Sequence, residues 1–119
     1  MLRILEPAAE VIWDSAGYVI TAEGEQDLQP TTEAGWSRVR DSALLVAESG
    51  NLLMMPGRAM GPEWIAYAQS MIGAGRGVMA AAEARDAGAL FEAGGVLYQT
   101  CVACHTRYMV PIAQARSAR

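Results

Sequence analysis

Leu97-Tyr98-Gln99-Thr100-Cys101-Val102-Ala103-Cys104-His105-Thr106-Arg107-Tyr108 holds both cysteines and the only histidine of the chain. The spacing Cys101-Val102-Ala103-Cys104-His105 is that of a c-type haem attachment site. On a helix, positions i, i+3 and i+4 share a face, so Cys101, Cys104 and His105 point the same way. Two thiols so placed can bond the two vinyl groups of one haem c, and the imidazole reaches its iron as proximal ligand. Three other readings stand beside this one. A zinc site takes about four ligands, and the motif supplies two Cys and one His with no further Cys or His in the chain. A thioredoxin-like C-x-x-C belongs to a strand-rich βαβ setting, which the sequence does not suggest. The cysteines could also be plain buried residues of a haem-free bundle, as thiols or a disulfide.

Working outward, Leu90, Gly94, Leu97, Cys101, Cys104 and Tyr108 recur at helical spacing. The cysteines therefore occupy core positions of a last helix that Asp86 caps and Pro111 ends, with 112–119 a polar tail. Before it, Pro62 opens a third helix, with Trp64, Tyr67, Met71, Ala74, Val78 and Ala81/Ala82 on its seam to about Arg85. Gly73, Gly75 and Gly77 weaken that helix and suit the close approach of a bulky group or of another helix. The second helix runs from about Thr32 to Met55 on a seam of Trp36, Val39, Ala43, Val46, Gly50 and Leu53. Thr31 or Thr32 is its cap and Pro56 its stop. Residues 21–32 read as a solvated loop. Residues 1–22 carry an apolar stripe at Met1, Leu5, Ala8/Ala9, Ile12, Ala16 and Val19/Ile20. That stripe predicts one long helix kinked at Pro7. The fold expected is all-α: an antiparallel up-down-up-down four-helix bundle, with haem attached to the last helix.

At 119 residues the chain makes a single domain over 1–119. Hydrophobic residues are 52% of it, ample for one core. Its formal charge is −4 and two haem propionates would add to that, so nucleic acid is not an expected partner. All nine basic residues are Arg. No apolar run approaches a membrane span. Met1 to Pro7 has no signal-peptide pattern. A c-type haem is normally attached outside the bacterial cytoplasm, so the expectation is a periplasmic protein whose leader, with some mature residues, has been removed ahead of Met1.

A haem motif near the C-terminal end of a four-helix chain resembles the class II cytochromes c, the cytochrome c-prime family. Ala80-Ala81-Ala82-Glu83-Ala84-Arg85-Asp86 is similar to the Ala-rich end of that family's third helix. Gly95 to Tyr108 is similar to its final helix, including the aromatic after the motif. The resemblance is close from Trp64 to Tyr108 and architectural before that. It implies a haem-bearing bundle, bacterial and periplasmic, often a homodimer. It also implies that Cys101 and Cys104 carry the thioether bonds and His105 is the proximal ligand. The family divides over the sixth iron position: an apolar residue of the first helix leaves it open to gases, or a Met fills it. With one His and no Lys in the chain, Met is the available donor. Met1 is the only Met of the expected first helix and lies about as far before the motif as the family's ligand, so it is the expected sixth ligand. Met54 and Met55 are second candidates.

Arg58 and Arg76 suit haem propionates, since guanidinium forks match carboxylates. Tyr98 and Tyr108 flank the motif by a turn each and are expected to pack on the ring. The expected function is one-electron transfer with a redox partner protein, not enzymatic turnover. The alternative is five-coordinate binding of NO or CO behind a distal wall drawn from Leu5, Ala9, Ile12 and Trp13.

Overall fold

Helical seams and caps account for most of the chain in the computed structural model, which describes the backbone of residues 1–117 and the side chains of 1–109. The second helix, α2 (Glu33–Leu53), starts where Thr32 Oγ1 accepts the Gly35 N–H at 3.0 Å. Such a side-chain cap satisfies one of the orphan N–H groups of the first turn. The third, α3 (Pro62–Glu83), has Pro62 at its first position, after Gly61 turns the chain at φ +103°. The fourth, α4 (Ala87–Ser117), is capped by Asp86, whose carboxylate accepts the Ala89 N–H at 3.0 Å.

The expected seams are the buried faces. Trp36, Val39, Ala43 and Val46 of α2 meet Met71, Ala74, Val78 and Ala81 of α3 and Leu90 and Leu97 of α4 in one core. Two glycines bring α2 and α3 close. A Cβ at Gly75 would lie 3.2 Å from the Ala43 carbonyl oxygen and from the Ala47 nitrogen. A Cβ at Gly50 would collide with the Ile72 side chain and sit 3.1 Å from the Ala68 carbonyl. Gly73 and Gly77 face open space.

The N-terminal third departs from the all-α expectation. The first helix, α1, covers only Leu5–Trp13, with Pro7 in its first turn, and buries Leu5, Ala8, Ala9 and Ile12. Met1 precedes the helix, and its carbonyl accepts the Glu6 N–H at 2.9 Å. After Gly17, at φ +75°, the chain makes an antiparallel hairpin of β1 (Tyr18–Thr21) and β2 (Gly24–Asp27), with Tyr18 opposite Asp27. Tyr-Val-Ile-Thr is an aromatic and three β-branched residues in a row, which favour strand. Their apolar side chains had read as a continuation of the helical stripe. All residues of both strands are exposed, so the hairpin adds nothing to the core.

At the other end, α4 continues through Pro111 to Ser117, where the sequence predicted a stop at Pro111 and a tail from 112. A proline ring holds a helical φ, so the backbone can pass it with the loss of one hydrogen bond and local strain. The last two residues of the expected tail, 118–119, lie outside the described residues. No helix among the described residues is long and apolar enough to cross a membrane.

Candidate functional site

Three positions on one face of α4 bring Cys101, Cys104 and His105 to the same place. All three are partly buried, and all three line a cavity of about 590 Å³. The cavity lies between α1, α3 and α4: α1 packs mainly on α2, α4 packs on α3, and α1 meets α4 chiefly through Trp13. From α1 and the segment before it come Met1, Leu5, Ala9 and Trp13. From α3 come Trp64, Tyr67 and Met71. The walls are largely apolar, with the motif on one side.

Aromatic side chains fix those walls. Trp13 Nε1 donates to the Gly94 carbonyl at 3.1 Å, and Tyr98 meets the Trp13 ring edge-on at 5.8 Å. Trp64 Nε1 donates to the Leu53 carbonyl at 2.7 Å. Tyr108 packs edge-on against Trp64 at 5.0 Å and Tyr67 at 6.1 Å. The neighbouring Arg107 ties α4 to α3 through Glu63 Oε2 at 3.0 Å. Each of these two half-buried indoles therefore has a partner for its polar atom, which holds the ring orientation.

Both cysteines are free thiols. Burial pushes the Cys101 thiol up from its ordinary value, and the neighbouring Cys104 pushes it further. Burial raises Cys104 as well. The thiols are thus held neutral in an apolar setting, unlike the activated thiolate of a redox catalyst. Among the described residues, no three His, Cys, Asp or Glu side chains come together as a metal-ion site. That does not bear on a haem, which takes the thiols at its periphery and only the imidazole at its iron.

The remaining candidates divide. Met1 lines the cavity, although it is 56% exposed and stands before α1 rather than on a longer first helix. Tyr98 lines it; Tyr108 lies behind Trp64 and Tyr67 and is not part of the lining. Arg58 is away from the cavity, its guanidinium donating to the Leu52 carbonyl at the end of α2 at 3.2 Å. Arg76, Met54 and Met55 do not line it either. Of the expected distal wall, Leu5, Ala9 and Trp13 reach the cavity, whereas Ile12 is wholly buried in the core. Sequence reasoning missed Glu6, Glu10 and Met109, which all line the cavity. Met109 follows His105 by four residues, which was signal enough to find it. Nothing local marks Glu6 and Glu10, which read as ordinary polar positions of a surface helix.

The chain matches no family model, no curated protein and no solved structure. What can be said of its chemistry therefore rests on the residues of this cavity.

Proposed function

We propose that the chain is a periplasmic c-type cytochrome that carries single electrons to and from a redox partner protein. The observation that carries the reading is that both thiols and the only imidazole open onto one apolar cavity. The residues fit a haem. The cavity is about 590 Å³, inside the range of roughly 300–1,000 Å³ usual for ligand and cofactor sites. Its walls are aromatic and aliphatic, as a large apolar ring requires. In this reading the four helices form an up-down-up-down antiparallel bundle, the arrangement in which cofactors sit between facing helices. The class II cytochromes c, which the motif and its flanks resemble, have that architecture and are often homodimers.

Cys101 and Cys104 would hold the haem covalently and His105 would bind its iron. When bound, the haem supplies a one-electron couple. The chain's own part is to hold His105 on α4, to exclude water with Trp13, Trp64 and Tyr67, and to offer a soft donor from the opposite side. Met109 sits on the same helix as His105, so it is poorly placed for the opposite face. Met1 approaches from the α1 side, which makes it the best candidate for the sixth position. A second reading, five-coordinate binding of NO or CO, is favoured by one observation: the apolar side chains that α1 itself offers the cavity are Leu5, Ala9 and Trp13, with no Met, His or Lys among its lining residues.

The test is expression with the c-haem maturation machinery, then haem staining after denaturing electrophoresis and an optical spectrum. A stained band with a methionine-to-iron charge-transfer band supports electron transfer. A stained band with a high-spin spectrum and rapid CO binding supports the second reading. A colourless band of unshifted mass overturns both.

A further inference from the structure

We infer that Glu6 and Glu10 form a negative wall that lowers the reduction potential of the group tethered to Cys101 and Cys104. The inference rests on the haem reading of the same cavity. Among the described residues, Glu6 and Glu10 are the only acidic side chains in its lining, and no Arg lines it. The chain has no Lys to add. The two residues are four apart on α1, so both carboxylates stand on one face of the helix. Neither is neutralised: the ion pairs of the described residues join Arg40 to Asp41, Arg85 to Glu33 and Arg107 to Glu63. Arg58, the guanidinium expected at the cavity, is spent on the Leu52 carbonyl instead.

A redox group of this kind carries one more positive charge when oxidised than when reduced. Nearby carboxylates therefore favour the oxidised form. Leu5, Ala9 and Trp13 give the same wall apolar neighbours, beside which a charge acts more strongly than in open water. Both glutamates are exposed, so added salt should weaken their effect. The wall is a property of this helix rather than of the motif, and it makes the chain a better electron donor than its thiols and imidazole alone would.

The experiment is a mediated redox titration of the haem-loaded protein at fixed pH, with haem content measured first. Glu6→Gln and Glu10→Gln should each raise the midpoint potential, and the double variant should raise it more. Higher ionic strength should shrink the difference. Glu10→Asp, which keeps the charge, should stay near the parent. Glu25→Gln, on the exposed hairpin strand β2, should leave the potential unmoved. Full haem content with an unmoved potential in the double variant overturns the inference and leaves the haem reading intact. An equal rise in Glu25→Gln overturns it too, because net charge alone would then explain the shift. A parent chain that takes up no haem overturns both.

Discussion

Replacing His105 by Ala removes the only imidazole of the chain and leaves both thiols in place. The haem should stay covalently attached but lose its proximal donor, with no Lys to take over. The visible spectrum and midpoint potential should then change grossly, and an unchanged spectrum would sink the assignment of His105. The thiols make a separate prediction for the haem-free chain. Burial raises both, with Cys104 adding to the effect at Cys101. A raised thiol value means that the folded chain keeps a proton which the unfolded chain releases. The associated stability is whole below the ordinary thiol value of about 8.5 and is lost as pH climbs through the raised values. The melting temperature of the haem-free protein should therefore fall on the alkaline side, and a Cys101→Ser, Cys104→Ser variant should lose most of that fall. A thermal melt series against pH reads both.

Between elements, the contact of α2 with α3 depends on what its glycines lack. Gly50→Ala would drive a methyl group into Ile72 and against the Ala68 carbonyl. Overpacking of this kind costs about 1–3 kcal/mol. Gly73, one turn from the same interface, has nothing within 4 Å of an added Cβ. Gly73→Ala should instead stabilise by roughly 0.5–1 kcal/mol through backbone entropy and helix propensity. Urea unfolding of the two variants should move in opposite directions. Parallel shifts would mean that close approach is not why Gly50 is there. The loss of the Asp86 cap is a milder case, since one N–H of α4 is left to water.

Over the whole molecule, the cavity of about 590 Å³ lies beside a thin seam, between α1 and α4. Helix α1 is nine residues long and takes its support mainly from α2. A short helix beside a wide apolar cavity is weakly supported on that side and opens at low free-energy cost. Hydrogen exchange should therefore find the amides of Leu5–Trp13 much faster in the haem-free chain than in the loaded one. Amides of α2 and α3 should change less. Uniform protection of all four helices without haem would show that the cavity is not what α1 depends on.

The motif, the seams and the caps were legible because each is a local matter. Helical spacing alone sets Cys101, Cys104 and His105 on one face, and Thr32 and Asp86 cap by bonding an N–H three residues on. Three features were decided only by the tertiary structure. The first helix ends at Trp13, because Tyr18 to Thr21 pair with a second strand while Val19 and Ile20 happen to continue a helical stripe. Tyr98 and Tyr108 stand a turn from the motif on either side, yet only Tyr98 lines the cavity, since Trp64 and Tyr67 of α3 take up Tyr108. Arg58 looked suited to an acidic group and caps α2 instead, while Glu6 and Glu10 reach the cavity. Which charged side chain meets a cavity depends on how one helix crosses another. That crossing is set by contacts between residues far apart in the chain, which no local spacing records.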